Sequence, residues 1–237
     1  MNERGAELVI FIPLKPLTRA KGRLRRVLPS HEREQLVRQM FRRVLHAVQQ
    51  AAVPARVFVL AGDGEVARLA EQVGVPPLVE SGGWRLDHVT PDGLLPMPPT
   101  PALTEDRLNR ILNDALTWAE ANGWSRALIL PADLPFLTPG DVEALWRLSQ
   151  ETPVPHLILA PDQAGKGTNA LLLAPPTALV PAFGRDSFTR HLLLARAQGL
   201  HVRVLRSSGL AHDVDTADDR SLVREPQHIP TGERRPS

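Results

Sequence analysis

The sequence predicts an α/β fold in which a mostly parallel sheet is flanked by helices on both faces. Short apolar runs alternate with longer amphipathic segments along most of the 237 residues, which is typical of strands that alternate with helices. Several runs are apolar throughout, as expected for strands buried on both faces. Charged residues follow some runs directly, at the edge where open α/β sheets bind ligands. We therefore expect a single domain over residues 1–224.

The N-terminal part of the chain predicts three strands and two helices. Leu8–Leu14 is apolar and rich in β-branched residues, which favours a buried strand. After a basic loop, Ser30 can cap a long helix, because apolar residues recur at helical spacing, at positions 36, 37, 40, 41, 44, 45 and 48. Residues 56–61 predict a second strand, which a glycine turn links to a short helix. Residues 75–80 predict a third strand, and its prolines favour a position at the sheet edge.

A long segment without periodicity then interrupts the alternation. Residues 81–104 are rich in proline and glycine, which predicts an irregular loop or a lid over the sheet. Thr104 is expected to cap the next helix, because Glu105 and Asp106 would then meet the positive end of the helix dipole. The apolar run 126–131 predicts the strand that leads to Asp133.

The C-terminal part continues the alternation and ends in a polar tail. Thr138 followed by Pro139 and Asp141 is a helix start, with an N-cap, a proline in the first turn and an acidic third residue. Residues 225–237 are polar and rich in proline, which predicts a disordered tail. Between these segments the pattern predicts, in order, strands at 156–160 and 169–174, a helix at 187–198 and a strand at 202–205.

Composition excludes several classes of function. Arg and Lys outnumber Asp and Glu only by 28 to 26, which argues against a dedicated nucleic-acid binder. The chain has no cysteine, so disulfides, thiolate catalysis and cysteine-ligated zinc are excluded. The apolar run Leu8–Leu14 is too short to span a bilayer. We expect a cytoplasmic protein that contacts neither membrane nor nucleic acid.

Asp133 carries the clearest chemical signal. It directly follows a continuous apolar strand and lies between Pro131 and Pro135. A carboxylate at this place must be solvated or paired with a cation, because burying it alone costs roughly several kcal/mol. We interpret Asp133 as part of a metal or phosphate site. The alternative is that it caps the following turn.

A second acidic cluster lies eighty residues further along the chain. Asp213 and Asp215 alternate around Val214, so in an extended segment both would face one side and could bind a hard cation or orient one ligand each. Alternatively, Thr216 caps a helix whose first turn carries the next two aspartates. Both interpretations can hold at once.

Basic residues follow the first predicted strand, at the place where open α/β sheets often hold phosphates. Lys15, Lys21 and Arg23 lie there, although a run of charge is more often a solvated face. Gly22 is the only glycine of the loop, which excludes a Walker-type site. The loops 165–168 and 183–187 also offer backbone amides and hydroxyls, but each could equally be an ordinary turn and N-cap. No histidine receives a role, because none has metal-ligand spacing.

Six short segments occur in order along about residues 8–222. They are Ile12-Pro13-Leu14-Lys15, Ala20-Lys21-Gly22-Arg23-Leu24, Ala132-Asp133-Leu134-Pro135, Gly167-Thr168-Asn169-Ala170-Leu171, Phe183-Gly184-Arg185-Asp186-Ser187 and Asp213-Val214-Asp215-Thr216. This combination resembles the CofC family, the guanylyltransferases of coenzyme F420 biosynthesis. The resemblance implies a nucleotidyltransferase architecture of the Rossmann-like, GT-A or MobA-like kind. It also implies that the phosphate of phosphoenolpyruvate or 2-phospho-L-lactate attacks the α-phosphorus of GTP and releases pyrophosphate.

The resemblance assigns roles to individual residues. Asp133 and Asp213 match the magnesium ligands, and Thr168, Gly184 and Ser187 match the residues that hold phosphoenolpyruvate. Lys15, Lys21 and Arg23 match the basic loop around the triphosphate, and Asn109 is a nucleotide contact. The expected catalytic residues are Lys15, Lys21 and Asp133.

Other functions stay open at this point. The acceptor could be 2-phospho-L-lactate or 3-phosphoglycerate instead of phosphoenolpyruvate. The enzyme could be another nucleotidyltransferase, with molybdopterin or a sugar phosphate as acceptor, or the chain could be a noncatalytic nucleotide-binding regulator. A homodimer is a possible assembly.

Overall fold

Eight strands form one sheet in the computed structural model, which describes residues 7–17, 24, 28–80, 84–85 and 107–213. The strand order across the sheet is β4-β3-β2-β1-β5-β7-β6-β8. In chain order the strands are β1 Leu8–Leu14, β2 Ala55–Ala61, β3 Pro77–Glu80, β4 Trp84–Arg85, β5 Arg126–Ile129, β6 His156–Pro161, β7 Thr168–Ala174 and β8 His201–Val204.

Most of the sheet is parallel, as the sequence predicts. β1 pairs in parallel with β2 and β5, β2 with β3, and β6 with β8. β7 is inserted between β5 and β6 and is antiparallel to both, and β4 is antiparallel to β3. All strands except β4 and β7 therefore run in one direction. The inserted strand places the beginning of β7 at the edge where the parallel strands end.

Helices cover both faces of the sheet, which confirms the predicted fold class. They are α1 Ser30–Gln50, α2 Gly64–Gln72, α3 Arg107–Ala121, α4 Pro139–Glu151, α5 Ser187–Ala197 and α6 Ser208–Ala211. The alternation of side chains in β1 sends Leu8, Ile10 and Ile12 into one apolar layer with α1, α2 and α4. Val9 and Phe11 enter the opposite layer with α3 and α5.

An aromatic cluster fixes α3 on the second layer. The Phe58 and Trp118 rings meet edge to face with centroids 5.2 Å apart, and Trp124 lies 5.2 Å from Trp118. Phe11 of β1 completes the cluster at 6.2 Å from Trp118. Because aromatic pairs of this geometry add to the stability gained from burial, α3 has a defined position on the sheet. This helix carries Asn109 near its beginning.

Some predicted element ends need correction. Pro29, not Ser30, occupies the cap position of α1, and the Ser30 hydroxyl instead donates to Glu34 within the helix. β3 is not an edge strand, because β4 pairs outside it. The helix start at Thr138 is confirmed, with a reciprocal capping box to Asp141. The sequence did not predict β4 or α6.

Several predictions fall outside the described residues. They concern the cap at Thr104, most of the loop 81–104, and the tail 225–237. The single-domain assignment stays a prediction. Within the described ranges, the longest helices are too polar or too short to cross a bilayer.

Candidate active site

Four predicted site segments meet at one edge of the sheet. Lys15 directly follows β1 and is exposed, and Asp133 follows β5 and is partly buried. Thr168 begins β7 opposite Pro161, the last residue of β6, so it lies at this same edge. The chain leaves the end of β8 here and leads through α6 to Asp213. The topology therefore brings together residues that are up to two hundred positions apart.

The loop that carries Asp133 is fixed at both ends. Leu134 is fully buried, and the Leu137 amide donates to the Leu134 carbonyl at 3.2 Å. Beyond it, the Asp141 carboxylate accepts from the Thr138 amide at 2.9 Å and closes the capping box of α4. A loop tied between a buried strand and a capped helix can hold its carboxylate in one position.

The α6 segment is docked on this loop. The carboxylate of Asp141 also accepts a hydrogen bond from the Ser207 hydroxyl, just before α6. Gly209 packs so closely that an added Cβ would lie 2.8 Å from the Phe136 carbonyl oxygen and would collide with Asp141. The rings of Phe136 and His212 meet edge to face with centroids 6.0 Å apart.

Strand β7 holds α6 from the other side. The Asn169 side-chain amide donates to the Leu210 carbonyl at 2.8 Å, and the Gln163 backbone amide donates to the Ala211 carbonyl at 2.8 Å. Asn169 is buried, so its bond to the Leu210 carbonyl is protected from water. α6 thus bridges the Asp133 loop and the start of β7, and it delivers Asp213 to this edge.

Magnesium binding by the predicted carboxylates stays a prediction. The described residues contain no group of three or more His, Cys, Asp or Glu side chains that could hold a metal ion. Mg²⁺ is usually bound through one or two carboxylates, with water and substrate phosphates as its other ligands. Asp133 and Asp213 are the two predicted ligands within the described residues. Asp215 lies outside the described residues, as do Lys21 and Arg23.

The structure brings together the residues that are predicted to hold the phosphoacid. The hydroxyls of Thr168 and Ser187 lie 3.3 Å apart, and both residues are buried. Gly184 closes the turn before α5, where its carbonyl accepts from the Ser187 amide at 3.3 Å. Its φ of +121° is strained for any residue with a Cβ, which explains the glycine. Ser187 is the first residue of α5, so its hydroxyl lies at the positive end of that helix dipole.

Sequence reasoning missed His191, which joins the two halves of this cluster. It is fully buried, with Nδ1 3.0 Å from the Thr168 hydroxyl oxygen and Nε2 accepting from the Ala182 amide at 2.9 Å. Burial, with a smaller effect of Arg190, lowers the pKa of His191 to about 4. The available signal was its spacing: His191 lies four positions after Ser187, on the same helix face.

Asn109 contacts the backbone of this cluster. Its Oδ1 accepts from the Phe183 amide at 2.7 Å, and its Nδ2 donates to the Phe183 carbonyl at 3.0 Å. Asn109 is buried. A nucleotide contact by Asn109 stays a prediction, whereas its observed bonds fix the loop that contains Gly184.

The loop 165–168 does not offer the anion cradle that the sequence suggested. The carboxylate of Asp162 accepts from the amides of Lys166 and Gly167, both at 2.8 Å. These amides are therefore used within the protein. The carbonyl of Lys166 accepts from the Phe188 amide at 3.0 Å, so the loop instead supports the first turn of α5.

Comparison with known proteins identifies relatives of both the sequence and the fold. The family described as guanylyl transferase CofC like matches residues 8–83 and 102–223. A phosphoenolpyruvate guanylyltransferase of Chloroflexus aggregans is 34% identical over 88% of this chain and 93% of its own length. A 2-phospho-L-lactate guanylyltransferase of Methanothermobacter thermautotrophicus is 33% identical over 88% of this chain and 80% of its own. Among solved structures, a nucleotidyl transferase from Methanothermobacter shares the fold, with a TM-score of 0.56 and 14% identity over 93% of this chain and 97% of that one.

Proposed function

Because the chain belongs to the family of CofC-like guanylyl transferases, we propose that it joins GMP from GTP to phosphoenolpyruvate in the biosynthesis of coenzyme F420, in the cytoplasm. The products are enolpyruvyl-diphosphoguanosine and pyrophosphate. The observation that carries this proposal is the convergence of Thr168 and Ser187 with the Asp133 and Asp213 segments at one sheet edge.

The reaction needs no general base from the protein. A phosphate monoester loses its second proton near pH 6, so the acceptor is largely a dianion at neutral pH. One of its oxygens forms a bond to the α-phosphorus of GTP while the bond from that phosphorus to the bridging oxygen breaks. The leaving pyrophosphate takes the electron pair. Protein groups therefore act by positioning the reactants and by neutralising charge.

The acceptor would lie on the Thr168 and Ser187 hydroxyls. The Thr168 hydroxyl can donate a hydrogen bond to an anionic oxygen, while the Ser187 hydroxyl donates to Thr168 Oγ1 at 3.3 Å. The dipole of α5 favours negative charge at Ser187. Gly184 permits the positive φ of this turn, and the Arg190 guanidinium lies 3.1 Å from the position that a Cβ would take there.

The nucleotide would lie across the ends of β1 and β5. Lys15 follows β1, and with Lys21 and Arg23 it would neutralise the triphosphate, while Asn109 would approach the nucleoside. A magnesium ion held by Asp133, Asp213 and Asp215 would offset charge on the α- and β-phosphates.

A second acceptor, 2-phospho-L-lactate, is favoured by one specific observation. A relative named for that substrate is 33% identical to this chain, close to the 34% of a relative named for phosphoenolpyruvate. The two phosphoacids differ by a double bond and two hydrogens. Differences of this size change binding by about 1 to 3 kcal/mol, so discrimination depends on small contacts.

The decisive experiment is pyrophosphate release by the purified protein with magnesium. GTP, ATP and CTP would each be combined with phosphoenolpyruvate, 2-phospho-L-lactate and 3-phosphoglycerate, and phosphorus NMR would identify the diphosphate product. We expect release with GTP and phosphoenolpyruvate. Release only with 2-phospho-L-lactate would change the acceptor and keep the reaction. If none of the three phosphoacids supports release, a sugar phosphate and a molybdopterin would be supplied as acceptors, and release with either would assign another nucleotidyltransferase reaction. GTP binding without any turnover would favour a regulator.

A further inference from the structure

His191 is a buried histidine whose two ring nitrogens each take part in a hydrogen bond, one to a backbone amide and one to a hydroxyl. Its Nε2 accepts from the Ala182 backbone amide at 2.9 Å, and its Nδ1 lies 3.0 Å from Thr168 Oγ1. The ring is fully buried and packs edge to face on Phe183 at 5.1 Å between centroids.

The Ala182 amide decides which ring nitrogen carries the proton. A backbone amide can only donate, so Nε2 must offer its lone pair and be unprotonated. Burial keeps the ring neutral, with the pKa lowered to about 4. A neutral imidazole with an unprotonated Nε2 carries its proton on Nδ1. His191 therefore donates to Thr168 Oγ1.

The direction of that bond sets what Thr168 can do. If the hydroxyl oxygen accepts from Nδ1, its own proton stays available for another acceptor. In the opposite tautomer the Thr168 hydroxyl would donate this proton to Nδ1 of the ring. Phosphate and carboxylate oxygens can only accept, so a hydroxyl binds them only when its proton is free.

We propose that His191 is a positioning residue that keeps the Thr168 hydroxyl proton directed at the anionic acceptor. This inference rests on the proposed function for the identity of that acceptor. The orientation is set through the Ala182 amide, and the double hydrogen bond between Asn109 and Phe183 fixes the next peptide along the chain.

Two substitutions separate the two bonds of the ring. His191→Asn can place an amide NH₂ near the position of Nδ1, so it keeps the donor for Thr168 and loses the acceptor for Ala182. His191→Gln can place a carbonyl oxygen near Nε2, so it keeps the acceptor for Ala182 and loses the donor. We expect H191Q to raise the KM for the phosphoacid about three- to tenfold, the effect of one hydrogen bond, with the KM for GTP unchanged. H191N should keep a phosphoacid KM close to that of the wild type.

Two further comparisons, one in a Thr168→Val protein and one at His201, test whether H191Q acts only through a general structural effect. In a Thr168→Val protein the hydroxyl is gone, so adding H191Q should leave the phosphoacid KM where T168V has put it. His201→Gln makes the same chemical change at an exposed residue of β8 and should be silent. The proposal is overturned if H191N and H191Q change the phosphoacid KM equally, or if the H191Q effect persists in T168V.

The tautomer itself can be measured without any activity. Nitrogen-15 NMR of the imidazole should show a protonated Nδ1 and an unprotonated Nε2 in His191 of the whole protein at neutral pH. A protonated Nε2 would refute the inference whatever the enzyme does. If the tautomer is as expected but no acceptor supports turnover, the proposed function fails and the hydrogen-bond assignment stands.

Discussion

Asn109 and Phe183, 74 positions apart in the sequence, are joined by two hydrogen bonds between one side-chain amide and one backbone peptide, at 2.7 Å and 3.0 Å. The side chain satisfies both the donor and the acceptor of Phe183. The aromatic cluster around Trp118 fixes α3 on the sheet, so this pair also fixes the loop that contains Gly184 relative to α3.

Replacing Asn109 by Ala should therefore weaken binding of the phosphoacid. The loop at Phe183 would lose two partly buried hydrogen bonds. We expect the KM for the phosphoacid to rise about tenfold with a smaller change in the KM for GTP. Steady-state kinetics with each substrate varied in turn would measure this. Asn113→Ala, on the same helix and partly exposed, is the matched control. A rise confined to the KM for GTP would instead support Asn109 as the nucleotide contact that the sequence predicts.

Neutralising either carboxylate of the site should remove turnover and leave the protein folded. We expect Asp133→Asn and Asp213→Asn each to lower kcat at least about a hundredfold, because charge stabilisation by a metal ion contributes several kcal/mol. Titrating magnesium against pyrophosphate release would show whether the variants need more metal. Glu151→Gln, an exposed residue at the far end of α4, should keep wild-type kinetics. Unchanged turnover in D133N or D213N would refute that residue as a ligand.

Gly209 has no room for a side chain, and a methyl group there should displace α6. A Cβ would press on the Phe136 carbonyl at 2.8 Å and on Asp141. We expect Gly209→Ala to cost about 1 to 3 kcal/mol in the free energy of unfolding and to lower turnover, since α6 leads to Asp213. Gly140→Ala is the control, because its Cβ would meet only Thr138 Oγ1 at 3.8 Å. Urea unfolding of both variants would decide, and equal stability of the two would contradict the packing argument.

The buried histidines should make the protein less stable in mild acid. Burial lowers the pKa of His191 to about 4 and also lowers the pKa of His156, whereas a histidine in the unfolded chain titrates near pH 6.5. Between these values the unfolded state binds more protons, so the free energy of unfolding falls as the pH falls. For His191 the loss in the free energy of unfolding is on the order of 3 kcal/mol. Above about pH 6.5 the ring is neutral in both the folded and the unfolded state, so its titration no longer changes the free energy of unfolding.

Urea unfolding of the wild type and of His191→Asn at several pH values between about 7.5 and 5 tests this dependence. The variant lacks the titrating ring, so its free energy of unfolding should depend less on pH over this window. His201→Asn, at an exposed position, should keep the wild-type slope. A wild-type slope in H191N would mean that His191 is not buried as a neutral ring.

Much of the fold could be predicted from local sequence patterns. The fully apolar run of β1 and the capping signal at Thr138 predicted a buried strand and a helix start, because both depend on neighbouring residues. The direction of β7 depends on pairing with β5 across more than forty positions, which no local pattern encodes. β4, two residues long, gives no period to detect.

The same distinction between local patterns and long-range contacts applies to the residues of the candidate site. Asp133 and Ser187 were predicted because each follows or begins a recognisable element, and Thr168 because it belongs to a recognisable segment. His191 was missed because its partners Thr168 and Ala182 become neighbours only after α5 packs on the sheet. The docking of α6 by Asn169 and Asp141 is likewise a set of long-range bonds.

The position of α6 also sets an order of events during synthesis. All eight strands among the described residues precede Ser207, so a nascent chain that has emerged to β8 contains each of them. Asn169 and Asp141 would at that stage still lack the bonds that they make with the α6 segment. Asp213 is added only a few residues later. The second acidic segment of the site is therefore synthesised only after all eight described strands.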